Sequence, residues 1–376
     1  MNITFVYDNN VYFDYFDDLE KGLAGTEGAI VRFSKALAAL GHKIKVYNHC
    51  KYPGVYNGIK WINIKDGNLD EEIADIIIFV KYVPVYIQLK GKLKCVMLTD
   101  RVIPPLLKDW IKLKKIDFII STSHWQFQCA QKQIGIYDKD IWFNTGLAVN
   151  LSDYTKCSIS KEDDLCVYTS VPYRGLDILL DMWPEIKKWC PNSRLELVSS
   201  YMVWGDSKDE NLIKSRRYYN SARALEELDV KNIIEIEKKN KSLGFQRMLE
   251  IQKRSKLFLY PSTYDDSFCV TALEAAAAGS VIITSNRAAL KERVVDGYTG
   301  YLIEGDPYSP EYQKDFIIKT VKLLNDNELW NYMSKNSIEF AKKNDINYLA
   351  KKWIQEFKSR LTNKYVVRSR EKENRV

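Results

Sequence analysis

Short apolar runs alternate with amphipathic helical stretches along this chain, and the alternation runs through twice. Ile3–Tyr7 is followed by a polar loop and then by a helix expected from Glu27 to Leu40. Its Ile30, Phe33, Leu37 and Leu40 recur at spacings of three and four, and Gly41 stands where a helix stops. Further strands are expected at Lys43–Tyr47, Ile76–Val80, Cys95–Leu98 and Phe118–Ser121. The pattern weakens from Asn144 to Asp164, a polar stretch read as a linker, and then restarts. Leu165–Thr169 is a strand, Leu176–Trp189 a helix and Leu195–Ser199 a strand. Ile233–Ile236, Leu257–Tyr260 and Val281–Thr284 follow as strands, and the chain reads as helical from Glu311. Within the charged, Tyr-rich stretch 201–230 only a helix near its end is legible. Short buried strands separated by helices call for an α/β architecture with doubly wound parallel sheets. Two such domains are expected, facing a central cleft: 1–150 and 160–345, with a charged tail at 365–376.

Composition sets limits on function. The 376 residues suit two domains, and 46% hydrophobic with 28% charged residues suits ordinary cores. The net charge of +7 is spread thinly, which argues against nucleic acid as a partner. Seven cysteines, at 50, 95, 129, 157, 166, 190 and 269, include no C-x-x-C pair, so reduced thiols and a cytoplasmic setting are expected. The opening Met-Asn-Ile-Thr-Phe-Val-Tyr reads as a strand rather than a signal peptide. No apolar run approaches the ~18 residues of a membrane span.

In open parallel sheets, ligands bind beyond the carboxyl ends of the strands. Three loops follow strands there: Asp8–Thr26, Ser170–Arg174 and Pro261–Phe268. The last leads into a helix expected at Cys269–Ala278, with small polar Ser267 and Thr271 near its start. The first N–H groups of a helix lack intrahelical partners and carry positive partial charge, so a diphosphate fits there without a metal. Asp266 and Glu274 are eight residues apart, about two turns, and fall along one side of the helix. Carboxylates suit sugar and ribose hydroxyls. The plain alternative is that Asp266 caps the helix and Glu274 is a solvated acid.

The same stretch resembles the retaining family-4 glycosyltransferases of the GT-B fold, which has two Rossmann-like domains. Their pattern is a strand ending Pro-Ser, then two acids eight residues apart within E-G-F-G-x-x-x-L-E-A-x-A-x-G. Here it reads Pro261-Ser262, Asp266, Phe268, Leu273-Glu274-Ala275, Ala277, Gly279 and Val281 to Ser285, continuing through Glu292, Asp296-Gly297 and Gly300-Tyr301-Leu302. Asp266 replaces the usual first Glu, which in the family contacts the donor sugar. Ala24-Gly25-Thr26-Glu27 resembles the family's G-G-[ST]-E loop, Ala24 replacing its first Gly; a plain loop with Thr26 as helix cap is the alternative. Arg174-Gly175 resembles a Lys-Gly whose cation neutralises the diphosphate, with a surface residue before a helix as the alternative. Thr169 stands where a second cation is usual. Asn347–Trp353 resembles the helix that crosses back to the first domain, so a crossing helix at about 347–364 is expected.

The resemblance implies a transferase that moves a sugar from a nucleoside diphosphate sugar to an acceptor hydroxyl, with retention, no metal and no other cofactor. The first domain would take the acceptor, a glycan or a lipid- or protein-linked group. Asp266, Arg174 and Asp100 are the candidate catalytic residues. Gly25, Thr26, Ser267, Phe268, Cys269, Val270, Thr271 and Glu274 are the candidate binding residues. Asp100 occupies the strand end where the family often carries a catalytic His; pairing with Arg101 is its other reading. A non-catalytic nucleotide-sugar-binding protein is the alternative function. The acidic pairs Asp17-Asp18, Asp163-Asp164 and Asp265-Asp266 come with no His or Cys cluster of metal-ligand spacing. No G-x-G-x-x-G follows the first strand, which argues against an oxidoreductase. The basic, partly apolar stretch Lys90–Lys115 reads either as a peripheral membrane contact or as a solvated helix with one buried face.

Overall fold

The computed structural model describes residues 1–20, 22–83, 90–199, 228–233 and 243–373. The helix expected near the end of 201–230, most of the strand expected at Ile233–Ile236 and the last three residues of the tail lie outside the described residues. The chain forms two compact units. The first comprises Met1–Tyr15, Ala29–Ala148 and Asn344–Val376, the second Phe16–Gly28 and Val149–Lys343.

The first unit holds an eight-stranded sheet. Its strands are β1 (Asn2–Val6), β2 (Lys43–Asn48), β3 (Gly54–Tyr56), β4 (Ile59–Asn63), β5 (Ile73–Val80), β6 (Lys90–Met97), β7 (Phe118–Ser121) and β8 (Trp142–Asn144). Their order is β3-β4-β2-β1-β5-β6-β7-β8, all parallel except β3, which pairs antiparallel with β4. The β3–β4 turn is Asn57-Gly58, both left-handed at φ 48° and 79°, the geometry a tight hairpin requires. The helix Gly25–Ala39 begins two residues earlier than its apolar periodicity suggests, so Thr26 lies inside its first turn and is not the cap. The long helix Ile346–Glu373 belongs to this unit. Its Trp353 stacks on Phe33 at 4.1 Å and donates to the Thr145 hydroxyl at 3.0 Å. Fully buried, this indole joins the helix to the sheet's last loop.

The basic stretch divides between elements. Lys92, on β6, pairs with Asp75 at 2.7 Å. The helix Leu107–Lys112 turns Leu107 and Trp110 into the core and leaves Leu106 and Leu113 on either side of it exposed.

The second unit's sheet has six parallel strands: β9 (Glu162–Tyr168), β10 (Arg194–Leu197), β11 (Val230–Asn232), β12 (Ser255–Tyr260), β13 (Val281–Ser285) and β14 (Gly300–Ile303). Their order is β11-β10-β9-β12-β13-β14. The polar stretch read as a linker contains the helix Leu151–Lys156 and the start of β9. Acidic Glu162 opens that strand because Arg194 and Arg254 hold it at 2.6 and 2.5 Å.

Candidate donor site of the second unit

β9 and β12 are neighbours although β10 and β11 lie between them in sequence. The chain leaves β9 toward β10 and leaves β12 toward β13, so the winding reverses between them. Loops at such a switch point diverge and leave a crevice beyond the strand ends. The loop after β9 carries Arg174 and the loop after β12 carries Asp266.

Local geometry presses the two loops together. Gly175 is left-handed at φ 106°, and a Cβ there would overlap the carbonyl oxygen of Pro261. The Thr263 hydroxyl donates to the Tyr173 carbonyl at 3.2 Å. Arg174 Nη1 thereby reaches Asp266 Oδ1 at 2.7 Å, and the Tyr260 hydroxyl donates to Asp266 Oδ2 at 2.9 Å. The Tyr264 ring lies 4.0 Å from the Arg174 guanidinium, a cation–π contact that fixes its plane. Burial pushes the Asp266 carboxyl up, with Arg174 and Tyr260 pulling the other way. Burial opposes the Arg174 charge as well, but Asp266, Tyr260 and Tyr173 together outweigh it, so the guanidinium stays protonated.

Four residues past Asp266 begins the helix Val270–Ala278. Its Ala-rich sequence has high helix propensity and lets neighbours approach closely. It ends at left-handed Gly279, whose carbonyl accepts from Ser334 at 2.7 Å. Its N-cap residue, Cys269, is left-handed at φ 63° and supplies no side-chain cap. Ser267, Val270 and Thr271 are partly exposed at this helix start, while Phe268 and Cys269 are buried. Burial pushes the Cys269 thiol up to about 12. Asp266 does not cap the helix, because both its oxygens are turned to Tyr260 and Arg174.

Glu274 is buried, not solvated, and Gln252 Nε2 donates to it at 3.4 Å from the helix Phe245–Arg254. The last turn of that helix is held in turn by the Lys161 ammonium, which donates to the Gln252 and Ser255 carbonyls at 3.0 and 2.6 Å and to the Ser280 hydroxyl at 3.0 Å. Asp265 pairs with Arg287 at 2.6 Å. Among the described residues, no group of three or more His, Cys, Asp or Glu side chains could hold a metal ion.

Gly25 joins this site: a Cβ there would sit 3.4 Å from Val270 Cγ2, so the N-terminal loop lies against the helix start. Thr26 is buried in the same turn. Asp100 belongs to the first unit. It follows β6, accepts from the Arg101 N–H at 2.7 Å and lies 3.7 Å from Lys81. Two features escaped the sequence reading. Arg293 is buried with its guanidinium 4.1 Å from the Phe268 ring, and burial pushes its pKa down to about 10. This places a cation behind the turn that starts the helix. Tyr260, the last residue of β12, entered the sequence reading only as the end of a strand, and its role shows in the hydrogen bond its hydroxyl donates to Asp266.

Residues 165–340 match the family model described as Glycosyl transferases group 1. An uncharacterized glycosyltransferase of Methanocaldococcus jannaschii is 27% identical over 179 residues, 48% of this chain and 43% of that protein. The chain thus spans less than half the length of the curated relatives it matches. Solved structures extend the likeness to both units. A Rickettsia africae glycosyltransferase superposes with a TM-score of 0.70 at 14% identity, over 96% of this chain and 99% of that one. The Anabaena protein HepE, solved with UDP and glucose, gives 0.63 at 14% identity over 96% and 100%. The chain thus has the two-domain GT-B fold, and within it residues 165–340 are similar to the glycosyl transferases group 1.

Proposed function

We propose that this chain transfers a sugar from a nucleoside diphosphate sugar to an acceptor hydroxyl, with retention and without a metal. The observation that carries this reading is the oriented Arg174 beside an uncapped helix N-terminus at a sheet switch point. The donor's diphosphate carries two negative charges and gains a third as the glycosidic bond breaks, and that developing charge must be stabilised. A fixed guanidinium can grip phosphate oxygens with paired N–H groups, and the first N–H groups of Val270–Ala278 add partial positive charge. Ser267 and Thr271 offer hydroxyls at the same place. Glu274, further along the helix, is assigned to the ribose hydroxyls, and Gln252 orients it. Gly25 lets the N-terminal loop approach the helix start. Asp100 of the first unit is assigned to the acceptor. The matched family and the solved glycosyltransferases support the reading, as do seven free thiols for a reducing, cytoplasmic setting.

Incubation with a panel of nucleotide sugars and acceptor glycans in EDTA tests this directly, with the product's anomeric configuration read by NMR. Transfer that requires added metal, or a product of inverted configuration, breaks the corresponding part. The non-catalytic alternative predicts binding with neither transfer nor donor hydrolysis. Glu274→Ala is expected to keep the fold and lower turnover by about 10- to 150-fold, since a hydrogen bond to a charged group contributes about 1.5–3 kcal/mol. A folded, fully active variant removes the ribose assignment.

A further inference from the structure

The acid at the sugar end of the proposed donor site is closed to solvent by its own protein. Asp266 is 5% exposed. Oδ1 accepts from Arg174 Nη1 at 2.7 Å, and Oδ2 accepts from the Tyr260 hydroxyl at 2.9 Å. Tyr260 is fully buried at the end of β12, and the Ser170 hydroxyl donates to its oxygen at 3.5 Å. This anchor is therefore part of the sheet's rim. A carboxylate that selects a sugar must turn its lone pairs toward the sugar. Here each oxygen already accepts one hydrogen bond, from a guanidinium and from a phenol, and burial closes the carboxylate off from solvent. Aspartate, one methylene shorter than glutamate, holds its oxygens back at the strand end.

From this geometry we infer that Asp266 is a positioning residue for Arg174 and not a receptor for the donor's sugar. The carboxylate, anchored by Tyr260, fixes one edge of the guanidinium, and the Tyr264 ring fixes its plane at 4.0 Å. The diphosphate then meets a cation already oriented, whose side-chain freedom was lost on folding and not on binding. Choice among sugars falls to other groups. The inference rests on the nucleotide-sugar reading and refines one position within it.

Calorimetry on the full chain tests it, with UDP, GDP and ADP and their glucose, galactose and N-acetylglucosamine derivatives as probes. The proteins are wild type, Asp266→Asn, Tyr260→Phe, Arg174→Gln and the Asp266→Asn/Arg174→Gln double variant. A positioning carboxylate acts on the part all donors share. Asp266→Asn should change affinity for the bare nucleoside diphosphate by about tenfold and for each of its sugars by the same factor. In the Arg174→Gln background the change should shrink below about twofold, because nothing is left to position. Should Asp266→Asn fail to fold, Tyr260→Phe carries the test, since it deletes one hydroxyl and should shift bare and sugar-bearing nucleotides alike. An unchanged bare-diphosphate affinity with an altered order among the sugars overturns the inference and leaves the donor reading intact. Additive effects in the double variant overturn it as well. A wild type that binds none of the probes overturns the donor reading itself.

Discussion

Each unit has a parallel sheet with one switch point, yet the two strand rims are built differently. Beyond β9 and β12 the charges are enclosed and closed on one another: Arg174 on Asp266, with Tyr260 and Tyr264 around them. Beyond β1, β2, β5 and β6 the burial is mixed: Asp14 and His49 are buried, while Asp8, Lys81 and Asp100 are partly exposed. His49 meets Asp8 at 3.1 Å, Lys81 meets Asp100 at 3.7 Å, and Asp14 accepts from the Lys51 and Tyr52 N–H groups at 2.9 Å each. Tyr12 and Tyr52 stand 54% and 66% exposed. An enclosed ion pair tolerates few substitutions, because removing one partner strands the other at about 3–5 kcal/mol. An exposed pair contributes about 0–1 kcal/mol and can drift.

The sharpest way to break this contrast is Gly175→Ala. The added methyl would overlap the Pro261 carbonyl and must hold a φ of 106°. The two loops must separate, at a cost of about 3 kcal/mol or more. Thermal unfolding should show a lowered midpoint and nucleotide binding should vanish. A variant of wild-type stability would mean that the loops are not pressed together. Next in size is Arg174→Lys, which keeps the charge and loses the planar fork and the ring contact. It should lower kcat/KM by ~10–100-fold. An unchanged value would reduce Arg174 to a point charge and blunt the distinction between the rims.

Asp100→Asn probes the other rim and should do less. Nucleotide affinity should stay within about twofold, since this carboxylate is 43% exposed and only loosely paired. Transfer to acceptor should fall more than donor hydrolysis does. Equal losses in both would remove Asp100 from the acceptor side.

Legibility in the sequence followed the same divide. The helix Leu176–Trp189 was readable end to end, because Leu176, Leu179, Trp183 and Ile186 mark a single buried face. The start of β9 was not, since Glu162, Asp163 and Asp164 look like a linker. Only Arg194 and Arg254, distant in sequence, make Glu162 a strand residue. The β3–β4 hairpin carried a readable Asn57-Gly58 signal between apolar residues that the reading passed over. At the site, the motif named Arg174, Asp266 and Glu274 one by one. Gln252 reaches Glu274 through helix packing, and Tyr260 reaches Asp266 through the bend of the loop between them, neither of which the motif encodes.

The smallest effect is expected at Cys269, where the backbone decides and the side chain does not. Its φ of 63° and ψ of 77° lie in the left-handed region, which costs a non-glycine residue about 1–2 kcal/mol. Glycine removes that strain. It also removes a buried thiol in contact with the Thr271 hydroxyl at 3.6 Å and adds unfolded-state entropy worth about 0.5–1 kcal/mol. These terms oppose one another, so Cys269→Gly should stay within about 1 kcal/mol of wild type in denaturant unfolding and should keep its nucleotide affinity. A loss above about 2 kcal/mol would show that thiol packing, and not the turn, sets the start of the helix. The donor rim would then depend on this side chain as it does on Arg174 and Asp266.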